Sequence, residues 1–169
     1  MSIKNLFISL YVRKNIRFGL KIGSNYYIHS RVDFGSEPYL ITIGNHVRIT
    51  EGVKFVTHDG GIWIFRNEES LRDIDLFGPI TIGDNVHIGT NAIIMPNVTI
   101  GDNVIIGCGS IVTKDVPSNS VVAGVPAKVI ESIEEYKQKH ANDFIHSKSY
   151  SPKKKKRILI ERFFNKNKN

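Results

Sequence analysis

The chain of 169 residues has a single cysteine, Cys108, which excludes an intramolecular disulfide framework and any cysteine-built zinc site. It also has no apolar run near the roughly 20 residues that span a bilayer. Residues 6–12 are apolar but short, and no small-residue cleavage site follows them. The expectation is a protein with neither leader nor anchor, in a reducing cytoplasm. Outside the C-terminal tail the chain has no charge excess either. Residues 153–169 hold eight cations against Glu161, which is the whole net charge of +7, so the other 152 residues are formally neutral. The basic pI describes a tail, and a nucleic-acid-binding role for the chain as a whole loses its support. At 41% hydrophobic and 23% charged, the remainder suits one domain with a core.

A six-residue repeat is present instead. From Ile82 every sixth residue is aliphatic and β-branched: Ile82, Ile88, Ile94, Ile100, Ile106 and Val112. Two residues before each next lead stands a small or aliphatic residue, from Val86 and Ala92 to Ser110 and Val116. Three residues after each lead comes a turn former: Asn85, Asn91, Asn97, Asn103, Gly109 and Asp115. Residues two apart on a strand share a face, so each lead and its companion point into one interior. Asn, Asp and Gly tolerate positive φ, and a corner every six residues leaves very short strands. Three such strands close a triangular coil of 18 residues, and coils stack about 4.8 Å apart. A β-sandwich, with turns every 8–12 residues or so, does not fit this period.

Upstream the repeat is weaker. Ile43 and Ile49 lead two hexads, and Ile16, Ile22, Ile28 and Phe34 suggest four more. The gap of nine from Phe34 to Ile43 places a small insertion near Ser36, Glu37 and Pro38, and the gap of 27 from Phe55 to Ile82 makes residues 56–81 a long excursion. Its Trp63, Phe65 and Phe77 favour a packed loop. Helical spacing of Ile3, Leu6, Phe7, Leu10 and Tyr11 predicts an N-terminal helix over residues 1–15 that covers the first coil. Ser132 and Glu135 fit a capping box, and Ser151 with Pro152 fits an N-cap and first helical residue, so residues 131–169 read as a helical basic tail.

Residues 80–130, with TKD at 113–115 and AGVPAK at 123–128, resemble the hexapeptide-repeat acyltransferases, above all the O-acetyltransferases of sugars and polysaccharides. The likeness extends over about residues 16–130. It implies an all-β fold, a left-handed parallel β-helix carrying a loop excursion and C-terminal α-helices. It further implies a homotrimer in which acetyl-CoA meets a sugar or glycan acceptor between neighbouring prisms. The family keeps its catalytic histidine where His58 stands, and an imidazole can take the proton of an acceptor hydroxyl near neutral pH. By motif, Thr90, Cys108, Thr113, Lys114 and Lys128 are implied to bind acetyl-CoA, the lysines pairing with its phosphates and Gly89 and Gly107 admitting its pantetheine arm.

For the acceptor, Asp59 either orients the ring, contacts substrate or merely forms a turn. Trp63 either stacks on a sugar or packs under its loop, with packing favoured. His87 stands where close members have Trp and points toward the cleft. The family's acceptor positions fall at 30–39, where the frame slips, and none is assigned. A gamma-carbonic-anhydrase-like metal site needs a histidine five residues after another, whereas Ala92 and Trp63 stand five after His87 and His58, so no metal is expected. An N-acetyltransferase of an amino sugar and a non-catalytic scaffold are the alternatives. The lysine-rich tail either contacts a membrane surface weakly or is a solvated helix.

Overall fold

A computed structural model describes residues 3–29 and 31–164. The hexads become strands of two or three residues, taken in rotation by three parallel faces. The first face holds β1 (Lys21–Ile22), β3 (Ile41–Ile43), β6 (Ile80–Ile82) and β9 (Val98–Ile100). The second holds β2 (Tyr27–Ile28), β4 (Arg48–Ile49), β7 (Val86–Ile88), β10 (Val104–Ile106) and β12 (Ser120–Gly124). The third holds β5 (Lys54–Phe55), β8 (Ile93–Ile94) and β11 (Ile111–Val112). Ile82 pairs with Ile100, Ile88 with Ile106 and Ile94 with Val112, so one coil is 18 residues. The register widens to 21 between Ile22 and Ile43, and to 39 between Ile43 and Ile82, where the insertion and the excursion leave the prism.

The leads and their companions form the core: Ile88, Ile94, Ile106 and Ala92 are wholly buried, as is Ser110. The corners are left-handed at Asn85, Asn91, Asn97 and Asn103, with φ of 56–61°. Asp115 does not take this conformation; its Oδ1 accepts a hydrogen bond from the backbone N–H of Thr99 at 2.7 Å, and the coil it closes is two residues short, Ile100 bridging to Val116. Gly89 lacks a Cβ because the next coil lies where one would be, 2.6 Å from the Cys108 nitrogen. The expectation that Gly89 makes room for a cofactor arm is therefore corrected: its space is taken by coil stacking.

The start of the chain also differs from expectation. Helix α1 (Ile3–Arg17) runs through Ile16, which is 40% exposed and leads no hexad. Gly19 (φ 98°) ends the helix, and Leu20 enters the core. The stripe expected to face the coil falls partly on residues whose side chains lie outside the description. Of its later members, Leu10 is turned outward while Tyr11 stacks on Phe34 at 6.0 Å, and Val12 and Asn15 form the buried side.

At the other end β13 (Ala127–Ser132) turns back antiparallel on β12. Helix α2 (Ile133–His140) opens with the capping box: Ser132 N–H donates to Glu135 at 2.7 Å and Glu135 N–H to Ser132 Oγ at 3.1 Å. The described residues up to Tyr136 form one compact unit and those from Lys137 on another. Within the second, α3 (Pro152–Phe164) begins at Ser151, whose Oγ accepts from Lys154 N–H at 3.3 Å. Among the described residues no helix is long and apolar enough to cross a membrane.

Candidate active site

β5 carries the chain to the edge between the third and first faces, and there the excursion departs. Its two ends are clasped: His58 bridges Phe77 antiparallel, Asp59 N–H donates to Leu76 O at 2.8 Å, and Gly78 N–H donates to Thr57 O at 2.9 Å. The excursion coils as 3-10 turns over Gly60–Asn67 and Glu69–Leu71, neither of which buries a residue. Arg66 holds it together, donating to Ile74 O at 2.9 Å and to Asp75 at 2.6 Å. Asp59 serves the turn: its Oδ1 accepts Gly61 N–H at 2.8 Å, capping the first turn, and no contact to the imidazole is seen. Of the three roles open to it in the sequence, the turn former is the one the geometry displays.

The carboxylate that meets the ring is Glu37, which sequence reasoning passed over. Glu37 precedes the 3-10 turn Pro38–Leu40, the insertion that breaks the frame. Its Oε2 stands 3.2 Å from His58 Nδ1 and accepts Thr57 Oγ at 2.6 Å. The hydrogen bond from buried Thr57 is the main cause holding the Glu37 carboxyl below its ordinary range, with smaller help from Ser36 and the imidazole. Glu37 is thus ionised at neutral pH. An ionised carboxylate only accepts, so the facing Nδ1 carries the proton, and in the neutral ring the lone pair is on Nε2. The Phe77 ring packs edge-on at 6.2 Å. The available signal was an acidic residue at the frame slip, set one widened coil of 21 residues before His58 by the register that pairs Asp33 with Lys54.

His58, half exposed, opens on a cavity of about 350 Å³ that Asp59, Trp63, Arg66 and Leu76 help to line. Three sequence-derived residues, His58, Asp59 and Trp63, are thereby brought together. Trp63 is 71% exposed, so the favoured reading, that it packs under its loop, is overturned. His87 does not join them. It lies on the second face, in register with Arg48, in a larger groove of about 510 Å³ that also includes Tyr27 and His46. Burial there lowers its pKa, and Arg48 lowers it further.

The residues implied to hold acetyl-CoA fall on two edges. Thr90 and Cys108 follow β7 and β10 at the edge between the second and third faces, where Gly109 N–H donates to Thr90 O at 2.8 Å. Thr90 Oγ lies 3.3 Å from Thr50 Oγ, and Cys108 is exposed. One coil further, Gly107 abuts Ala123, whose partner across the hairpin is the exposed Lys128. These residues form one ascending file. Thr113 and Lys114, both exposed, follow β11 at the other edge, two coils above the departure of the excursion.

A family model described as bacterial transferase hexapeptide (six repeats) matches residues 79–114. Protein CapG of Staphylococcus aureus is 50% identical over 169 residues, covering 95% of this chain and 96% of that protein. Galactoside O-acetyltransferase of Escherichia coli (strain K12) is 41% identical over 122 residues, 72% of this chain and 57% of its own length. The crystal structure of a hexapeptide-repeat acetyltransferase from Vibrio cholerae, complexed with acetyl coenzyme A, superposes with a TM-score of 0.61 at 32% identity, covering 68% of this chain and 60% of that one.

Proposed function

This chain belongs to the bacterial hexapeptide-repeat transferases and is an acetyltransferase, and on that premise we propose that it moves an acetyl group from acetyl-CoA to a sugar hydroxyl of a glycan, with His58 as general base. The observation that carries the reading is the Glu37–His58 pair at 3.2 Å, beside a cavity that His58 lines together with an exposed Trp63. Acetyl-CoA supplies an activated thioester carbonyl. His58 Nε2 accepts the proton of the acceptor hydroxyl as its oxygen bonds to that carbon. The imidazolium then returns the proton to the departing thiolate, so the products are an acetyl ester and a free thiol. Glu37 fixes the tautomer and stabilises the imidazolium between the two transfers. Trp63 offers a flat apolar face to a sugar ring.

The residues present suit the donor. An extended arm can run along the file of Thr90, Cys108 and Lys128, while Lys114 offers a cation to a phosphate. Those groups occupy two edges of one prism, and one edge of each of two copies lining a shared cleft would unite them. That argues for a homotrimer of left-handed coils, with the coils from Leu20 to residue 130 as the catalytic domain, α1 as its cap and 131–169 as its tail. The test is thiol release from acetyl-CoA across a panel of sugars. His58→Ala should lower kcat by about 10²–10⁴ with CoA affinity and the mass of the native assembly unchanged. Near wild-type turnover in that variant removes His58 from the reaction.

A further inference from the structure

The end of the prism where the chain begins carries a surface that acetyl transfer does not use. Residues 1–32 contain six cations and no acid, whereas residues 33–152 hold fifteen acids against nine cations. The positive charge thus lies at both ends of the sequence, against a negative middle. In α1 the buried side is Val12 and Asn15. The opposite side, from Leu10 onward, presents Leu10, Arg13, Lys14 and Arg17 at helical i, i+3, i+4 and i+7 spacing. Phe18 follows, and these five line one shallow groove of about 360 Å³. Leu10 is 50% exposed and Phe18 60%, and Lys14 Nζ sits 5.9 Å from the centre of the Phe18 ring.

We propose that this face of α1 docks on an anionic lipid surface, the helix lying in the plane of the interface. Leu10 and Phe18 enter the boundary of the acyl chains, and Arg13, Lys14 and Arg17 pair with headgroup phosphates. Charge complementarity selects this occupant. A second copy docked face to face would bring two acid-free cationic surfaces together. A nucleic-acid backbone would use the cations but leave Leu10 and Phe18 without a role.

The experiment is co-sedimentation of the full chain with vesicles of phosphatidylcholine alone and of phosphatidylcholine with about 30% phosphatidylglycerol. Binding is expected to the anionic vesicles only, weakening steeply as NaCl rises from about 0.1 to 0.5 M. Changing Arg13, Lys14 and Arg17 together to Gln should lower partitioning about tenfold or more, and Phe18→Ser several-fold. Changing Lys153, Lys154, Lys155 and Lys156 to Gln should leave most of the binding in place. Equal binding to neutral vesicles overturns the proposal, as does an unchanged α1 variant or a loss confined to the tail variant. A drop in the mass of the native assembly on changing α1 points to a second copy on this face and overturns it as well. The salt series needs only the wild-type chain, so it stands whether or not a variant folds.

Discussion

Two stretches of the prism are built from the same hexads and do different work. From Ile80 to Val122 each strand pairs with the next coil at close to 18 residues, and the inward side chains are 6% exposed or less. From Asp33 to Pro79 the coil is interrupted twice, and most side chains of the excursion stand in solvent, with Trp63 71% exposed and Ile64 67%. The regular stretch contributes burial. The interrupted one contributes position, because the coil widened to 21 residues sets Glu37 and His58 on neighbouring turns, where the excursion departs. The contrast teaches that stability and chemistry are assigned to separate segments, and it can be broken by substitutions that move one property without the other.

The largest expected effect is on stability. Ile88→Ala in the ladder should cost about 2–5 kcal/mol, since a wholly buried side chain leaves a cavity between stacked coils. Trp63→Ala, though it removes more atoms, should stay within about 0.5 kcal/mol while lowering acetyl transfer. Urea unfolding and thiol release on both variants check the pair, and equal losses of stability would erase the distinction.

Next comes the positioning carboxylate. Glu37→Gln keeps the shape but presents a neutral amide to Nδ1, which weakens the hold on the tautomer and the imidazolium. A fall in kcat of about 10- to 100-fold is expected, with little change in KM for acetyl-CoA. A purely structural Glu37 would instead lower the unfolding midpoint and leave kcat alone. Because the folded carboxyl is held below 4.5, its contribution to stability is present above that pH and lost as pH falls through the folded value. The Gln variant should lack that acid-side loss.

A smaller effect separates corner from face. Asn97 sits at φ 61°, so Asn97→Ala should destabilise by about 1 kcal/mol, and Asn97→Gly by much less. Thermal melts decide it, and equal melting points would show that the corner does not need the left-handed backbone.

The same contrast explains what was legible in the residues. Period, inward faces and asparagine corners followed from local sterics, so the 18-residue register could be read before any coordinate. The capping box at Ser132 and Glu135 was as plain, being a contact three residues apart. Glu37 was passed over because it lies outside the regular 18-residue stretch, although the widened register that pairs Ile28 with Ile49 and Asp33 with Lys54 also sets position 37 one coil from position 58. Ile16 was misread because a six-residue step and a helical stripe both accept an aliphatic residue there. The helix runs on to Arg17, Gly19 turns the chain, and Leu20 takes the inward position. Trp63 was misread because aromatic content was taken for packing, whereas short turns clasped at both ends leave it exposed.

The smallest effect concerns the regular stretch itself and turns on His87, the one titrating group on its second face near neutrality. Burial, then Arg48, lowers its pKa from the ordinary 6.5, so the fold prefers the neutral ring. Between the lowered value and 6.5 the unfolded chain binds more protons than the folded one. Stability should therefore be full above about pH 6.5 and should decline as pH falls through the folded value. His87→Gln removes that slope. Urea midpoints at about pH 8 and pH 5.5 should differ for the wild-type chain and converge for the variant. The Glu37→Gln variant should keep the wild-type slope in this window, since its own loss begins lower. If both variants flatten the same window, the two stretches are coupled through one titration, and the separation of ladder from excursion fails at the level of charge.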